Sequence, residues 1–206
     1  MNKQQLKKVL RANTIAAAKA LLGCTLVHDT PAGQTRGRIV ETESYLHDDP
    51  ACHALRGKTP RNAKMFEREG TAYVYFTYGM HWCVNVVTRE RGVGEAILIR
   101  AIEPTQGIKI MQKRRRQMDI HKLCNGPAKL CQAMGITKSQ NGIDLLNAKS
   151  PLRLQINKFT STTHVISSQT NQENQKIITT TRIGIVKGAD LPLRFYLANS
   201  KFVSRK

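Results

Sequence analysis

Residues 71–88 read TAYVYFTYGMHWCVNVVT, two runs of β-branched and aromatic residues on either side of Gly79. This pattern is typical of two antiparallel strands joined by a tight turn. Alternation divides the first strand into two faces, one with Tyr73, Tyr75 and Thr77, the other with Val74, Phe76 and Tyr78. Both faces are largely apolar, so we expect burial of at least one, with Val74 and Phe76 in the core. Tyr78, beside the turn, is the ring that burial explains least well.

The segments around this hairpin predict further strands and helices. Strand patterns occupy residues 24–46, which contain a Pro/Gly turn, 95–104 and 180–197. Helical patterns occupy residues 14–22, 105–118 and 125–136. We expect Thr14 to cap the first helix and Gly126 to cap the last, with Pro127 at its first position. The chain is therefore predicted to be a mixed α/β (α+β) protein with a single domain over residues 1–206.

One segment has a different composition. Residues 160–181, TSTTHVISSQTNQENQKIITTT, are dominated by Thr, Ser, Asn and Gln. Such a segment buries little apolar surface, so it predicts a solvated, mobile loop within the domain rather than a linker to a second one.

The charge of the chain indicates a polyanionic partner. Lys and Arg number 33 against 14 Asp and Glu, which gives a net charge of +19. An excess of this size favours nucleic acid as the partner. An anionic membrane surface is a weaker alternative, and a well-solvated basic surface without a polyanionic ligand is another.

Cysteine usage and the N-terminal segment bear on the compartment. The five cysteines form no C-x-x-C pair and favour reduced thiols. Lys19 interrupts the apolar stretch that follows the basic N-terminal residues, so we read that stretch as a helix rather than as a secretion signal. With no run of 18 apolar residues, we expect no membrane span, and a cytoplasmic or nucleoid-associated location if the chain is bacterial.

Two carboxylates are the strongest candidates for chemistry. The period of two in the strand before residue 46 places Glu41, Glu43 and Tyr45 on one face. A positioned carboxylate can deprotonate water and also stabilise the positive charge that develops on a sugar as its glycosidic bond breaks. The alternative is that both carboxylates are solvated charges at a strand edge.

Aromatic and sulfur-containing side chains offer two further possibilities. Stacking on nucleic-acid bases is open to Tyr45, His53, Tyr73, Tyr75 and Tyr78. Core packing is the competing explanation for the tyrosines of the alternating strand. A zinc site would have to combine Cys52, His53, His81 and Cys83, whose spacings are not those of common zinc sites, so we expect no metal.

Six motifs in order along the chain resemble the alkyladenine (3-methyladenine, methylpurine) DNA glycosylase family. They are RIVETESYL, TPRNAKMF, GTAYVYFTYGMHWCVNVV, AILIRAIEP, NGPAKLCQAMGI and RIGI followed by PLRFYL. The resemblance implies a single mixed α/β domain with a curved, mainly antiparallel sheet flanked by helices, and a protruding hairpin that enters the DNA minor groove. It implies neither a metal nor an organic cofactor.

The resemblance also implies a role for each matching residue. Glu43 matches the general base, and Arg100 with the carbonyl of Ile183 matches the groups that hold the attacking water. The base pocket is implied to contain Tyr45, His53, Tyr75 and Asn85, the last disfavouring the exocyclic amine of guanine. Insertion into the DNA is implied for Tyr78, with Met80 and His81 beside it. Contacts with backbone phosphates are implied for Thr59, Arg61, Arg115, Gly126 and Lys129.

Together these observations predict a repair enzyme acting on double-stranded DNA that contains damaged purines. It would flip alkylated or deaminated purines (3-methyladenine, 7-methylguanine, hypoxanthine type) and hydrolyse the N-glycosidic bond without strand cleavage, as a monomer. A non-catalytic basic nucleic-acid-binding protein is the main alternative, and a metal-dependent nuclease is a third. Release of a free base would distinguish the first from the others.

Overall fold

The computed structural model describes residues 1–156 and 176–205, which contain four α-helices and eight strands. The helices are α1 (Lys3–Ala12), α2 (Thr14–Leu21), α3 (Ile108–Arg115) and α4 (Pro127–Met134). The strands are β1 (Thr25–Thr30), β2 (Gly33–Tyr45), β3 (Ala72–Thr77), β4 (His81–Thr88), β5 (Glu95–Gln106), β6 (Leu152–Gln155), β7 (Ile177–Thr180) and β8 (Arg194–Leu197). Short 3₁₀ turns occupy Ala63–Phe66, Ile120–Lys122 and Lys138–Gln140.

The described strands form one antiparallel sheet whose central strand is β2. The order is β3-β4-β5-β2-β1-β6, and β8 pairs with both β2 and β7. The first half of β2 pairs with β1, whereas residues 41–43 pair with β8. Two of the three register shifts between β2 and β5 fall at this change of partner, between Ile39 and Thr42. Because bulges bend a strand and increase its twist, they curve the sheet here. The predicted mixed α/β fold with a curved antiparallel sheet is confirmed.

Helices α2 and α4 pack apolar faces onto this sheet. Helix α2 buries Ala17, Ala18 and Leu21. Helix α4 buries Leu130, Cys131, Ala133 and Met134. Both sets follow the spacing of one helix face, so the core lies between the helices and the sheet.

Two helix caps were predicted, and one prediction was wrong. Gly126 precedes α4 and Pro127 opens it, as expected. The cap of α2 is instead Asn13, whose side chain accepts a hydrogen bond from the backbone of Ala16. Thr14 turns inward, where its hydroxyl donates to Glu95. A buried carboxylate that needs donors explains why Thr14 is not available as a cap.

The hairpin of β3 and β4 forms as predicted, with its turn at Tyr78 and Gly79. Both residues have positive φ angles, 52° and 66°, as the two central residues of a type I′ hairpin turn require. Val74 is buried as expected, but Phe76 is 42% exposed and packs against Trp82, with ring centroids 4.7 Å apart. The prediction of a core Phe76 was wrong because the sheet extends beyond the core at this end.

Two segment predictions also need correction. Strand β7 lies within the stretch 160–181 that was predicted to be a loop; residues 157–175 lie outside the described part of the chain. Of the predicted strand 180–197, only Thr180, the last residue of β7, and Arg194–Leu197 lie in strands, and residues 181–193 between them form turns, bends and irregular segments. No helix in residues 1–156 and 176–205 is long and apolar enough to cross a membrane.

Candidate active site

A cavity of about 310 Å³ opens beside β2, the hairpin and the loop that precedes β8. Its lining contains the four residues predicted for the base pocket, Tyr45, His53, Tyr75 and Asn85. It also contains Arg100, predicted for the water site, and Tyr78, predicted to insert into the DNA. Ile183 also contributes, followed by Gly184 and Ile185 of the loop. Residues as far as 140 positions apart in the sequence thus meet at one site.

Glu43 is fully buried, and the three groups that orient its carboxylate belong to residues that line this cavity. Oε1 accepts a hydrogen bond from the backbone N–H of Ile183 at 2.9 Å and lies 3.1 Å from Nη1 of Arg100. Oε2 accepts from the hydroxyl of Tyr45 at 3.0 Å. An ionised carboxylate out of contact with water requires partners of this kind. The alternative of a solvated charge at a strand edge is therefore wrong for Glu43.

The carbonyl of Ile183 belongs to the same array. It accepts a hydrogen bond from Nη1 of Arg100 at 3.3 Å. The two backbone groups of Ile183 therefore contact the carboxylate and its cationic partner respectively. Because a carbonyl oxygen has two lone pairs, one remains available after this bond.

Four rings form the other part of the cavity. Tyr73 and Tyr75 are stacked with centroids 5.4 Å apart, and His53 meets Tyr75 edge-on at 4.6 Å. Burial raises the pKa of Tyr45 and of Tyr75 above the usual range, so both phenols stay protonated. Tyr45 can therefore act as the donor to Glu43 at any ordinary pH.

Tyr73, to which the family resemblance assigned no role, orients a pocket residue. It is buried, its hydroxyl lies 3.0 Å from Nδ1 of His53, and burial raises its pKa to about 12. Its carbonyl accepts a hydrogen bond from Nδ2 of Asn85 at 2.9 Å, which fixes the amide of that buried wall residue. The period of two, which places Tyr73 on the face of Tyr75, was the available signal.

Arg182 and Asp49 form a buried ion pair that the sequence did not predict. Both side chains are buried; Nη2 of Arg182 donates to Oδ1 of Asp49 at 2.8 Å, and Nη1 also contacts the carboxylate. The same guanidinium donates to the carbonyl of Ser44 at 3.0 Å and lies over the ring of Tyr45 at 4.7 Å. Arg182 therefore anchors the loop that carries Ile183 to the end of β2.

The hairpin tip presents exposed side chains next to the cavity. Tyr78 is 80% exposed and Met80 is 67% exposed, and His81 is also exposed. Arg61 donates to the carbonyl of Phe76 at 3.2 Å, which places a cation beside the hairpin. An apolar tip with a neighbouring cation is compatible with insertion into a nucleic-acid groove.

The residues predicted for phosphate contacts differ in their availability. Thr59 is exposed in a turn where its backbone and hydroxyl donate to Asn62. Lys129 is exposed near Gly126, which precedes α4. Arg115 instead makes internal hydrogen bonds, to the carbonyl of Leu123 and to Gln132. Thr59 and Lys129 lie at accessible positions, whereas Gly126 is buried and the guanidinium of Arg115 is already bonded within the fold.

A metal centre was the remaining alternative. Among residues 1–156 and 176–205, no three His, Cys, Asp or Glu side chains are grouped so as to hold a metal ion. Cys52 and Cys83 are buried thiols, and His53 is engaged by Tyr73.

Comparison with known proteins identifies the family. A sequence profile of the methylpurine-DNA glycosylase family matches residues 8–201. A Francisella tularensis protein named "Putative 3-methyladenine DNA glycosylase" is 48% identical over 98% of both chains. Proteins of the same name from Methanoculleus marisnigri and Carboxydothermus hydrogenoformans are 50% and 48% identical, each over 94% of this chain and 95% of their own. The chain belongs to the methylpurine-DNA glycosylase family and is a DNA-repair hydrolase of N-glycosyl bonds, with DNA as its substrate.

Proposed function

We propose that this enzyme flips an alkylated or deaminated purine out of duplex DNA into the cavity and releases it by hydrolysis, without cleaving the strand. Substrates of the 3-methyladenine, 7-methylguanine and hypoxanthine type fit this proposal. The observation that carries it is the buried carboxylate of Glu43, oriented by Ile183, Arg100 and Tyr45 at the wall of an aromatic cavity.

The position of the carboxylate supports base flipping. The glycosidic bond inside a base stack cannot reach a fully buried group, so the nucleotide must leave the helix. Unstacking costs a few kcal/mol, and it costs least for a damaged or mispaired base. Stacking on Tyr45 and Tyr75, together with Tyr78 filling the gap in the helix, offsets that cost.

The reaction then needs a general base and a group that stabilises the sugar cation. As the bond between the purine nitrogen and C1′ breaks, its electron pair leaves with the purine and positive charge develops on the sugar. Glu43 stabilises that charge and takes a proton from the water that attacks C1′. The products are a free purine and an abasic site with a hydroxyl group on C1′.

Alkylated purines are favoured by charge. Methylation at N3 of adenine or N7 of guanine makes the base cationic, which strengthens its contact with electron-rich rings. The same charge makes the base a better leaving group. Tyr75 and the edge-on His53 offer such a surface, and the fixed amide of Asn85 limits which exocyclic groups fit.

The test is base release from a duplex oligonucleotide that contains one hypoxanthine or one 7-methylguanine, by wild type and by Glu43→Gln. We expect the variant to bind the duplex and to lose excision by about two orders of magnitude or more, the scale of a general base. Glu103→Gln, a partly exposed carboxylate on β5 that pairs with Arg38, is the matched control and should excise normally.

Four results would contradict the proposal. Excision by Glu43→Gln at the wild-type rate would show that Glu43 is not the general base. Salt-dependent retardation of DNA without base release by wild type would indicate a binding protein instead. Strand cleavage without alkaline treatment, or activity lost in a chelator, would contradict the monofunctional, metal-independent reaction.

A further inference from the structure

Glu41 is a second buried carboxylate, two residues before Glu43 and equally inaccessible to water. Its Oε1 accepts hydrogen bonds from Nε of Arg194 at 2.6 Å, from the hydroxyl of Ser204 at 2.8 Å and from Nε of Arg100 at 3.2 Å. Its Oε2 accepts from the backbone N–H of Ser204 at 2.6 Å. Glu41 therefore has four donors, and of these only Arg100 also lines the cavity.

The guanidinium of Arg100 is divided among three chain segments. Its Nε donates to Glu41 on β2, its Nη1 faces Glu43 and the carbonyl of Ile183, and its Nη2 donates to the hydroxyl of Ser204 at 3.4 Å. Each carboxylate thus meets only one nitrogen of Arg100. This arrangement is unusual, since arginine and a carboxylate commonly pair through two parallel hydrogen bonds.

A register shift in the sheet makes the division possible. Glu41 pairs with Ala101 and Thr42 pairs with Ile99, so Arg100 has no opposite residue on β2. Bulged positions re-aim a side chain relative to regular pairing. Arg100 can therefore reach both carboxylates of β2 at once.

We propose that Glu41 and Ser204 are positioning residues for base excision, an inference that rests on the proposed role of Glu43. By holding two nitrogens of Arg100, they prevent it from forming a two-point pair with Glu43. Such a pair would add a second donor to Oε2 of Glu43, beside the hydroxyl of Tyr45, and so fill the acceptor position that must take the proton of the attacking water. The segment after β8 is thereby part of the excision machinery, although it lies behind the cavity wall.

Charge supports the same conclusion. Two carboxylates, Glu41 and Glu43, and two guanidinium groups, Arg100 and Arg194, are buried together and balance each other formally. Neutralising Glu41 leaves Arg100 with Glu43 as its remaining anionic partner. The stronger attraction would draw Arg100 onto the carboxylate that the reaction needs.

The test compares Glu41→Gln, Ser204→Ala and Ser204→Thr in single-turnover excision of hypoxanthine, with DNA affinity and thermal stability measured on the same preparations. We expect Ser204→Ala to lower the excision rate constant about tenfold, which corresponds to a misplaced catalytic group. Glu41→Gln should lower it further. DNA affinity should stay at the wild-type value, and Ser204→Thr, which keeps the hydroxyl, should restore most of the rate.

Ser200→Ala is the matched control for a purely structural effect. Ser200 is a buried serine of the same segment whose hydroxyl accepts from the backbone of Phe202 and does not contact the carboxylates. We expect this variant to lose stability without losing excision per folded molecule.

Two results would overturn the inference: wild-type rates in both Ser204→Ala and Glu41→Gln, or a loss of rate that Ser200→Ala reproduces. If Glu41→Gln does not fold, the serine variants decide alone. Failure of the proposed function is recognised separately, because Glu43→Gln would then excise normally. A dead Glu43→Gln with active Ser204→Ala and Glu41→Gln would contradict only the positioning role.

Discussion

Replacing Tyr78 at the hairpin tip should separate DNA engagement from folding. Its side chain is 80% exposed, and its backbone holds a left-handed conformation with φ 52°. This conformation costs a non-glycine residue about 1–2 kcal/mol. Glycine removes that strain but adds entropy to the unfolded chain, so Tyr78→Gly should change the free energy of unfolding by less than about 1 kcal/mol in either direction.

The effect on excision should be much larger. A ring stacked against a DNA base contributes about 1–3 kcal/mol, and its loss reduces the flipped population by a factor of roughly 5 to 150. Tyr78→Phe keeps the ring and should behave as wild type. Met118→Ala removes a side chain of similar exposure, 76%, away from the hairpin and serves as the second control.

The assay follows the fluorescence of a base analogue placed beside hypoxanthine, which reports flipping, together with single-turnover excision. Chemical denaturation supplies the stability of each variant. Two results would refute the reasoning. Wild-type excision by Tyr78→Gly would show that the reaction needs no inserted ring. A stability loss above about 2 kcal/mol would mean that Tyr78 is a core residue.

Three further predictions concern charge, pH and packing. Arg61→Ala should weaken binding to all DNA sequences and lower the slope of log affinity against log salt by about one; an unchanged slope would exclude a phosphate contact. His28 is buried and burial lowers its pKa below 6.5, so it stays neutral in the fold while the unfolded chain takes up a proton. The stability present above pH 6.5 should therefore be lost as the pH falls towards the lower, folded pKa. In thermal melts at a series of pH values, His28→Gln should lose less stability on acidification than wild type. An equal loss in both proteins would contradict the prediction. A Cβ on Gly94 would lie 2.3 Å from that of Ala54. Gly94→Ala should thus cost about 1–3 kcal/mol, measured by denaturation, and adding Ala54→Gly should recover part of the loss.

Local sequence patterns determined much of this protein. Alternation around Gly79 predicted the hairpin, and Gly126 followed by Pro127 predicted the start of α4, because turn and cap conformations depend on a few adjacent residues. The motif around Glu43, together with five others in order along the chain, also indicated the family. These features are encoded within short windows, which is why the sequence alone was sufficient.

Only the tertiary structure decided the arrangement of the site. The alternating pattern treated Phe76 as core, although the sheet extends past the core there, and gave Glu41 and Glu43 equal status. Arg182, Ser204 and Tyr73 entered the site through contacts with distant segments. Periodicity describes only which side of its own strand a residue occupies. A charge withdrawn from water needs a partner of opposite charge. Which guanidinium reaches a buried carboxylate depends on the curvature and register of the whole sheet, because these bring distant segments together.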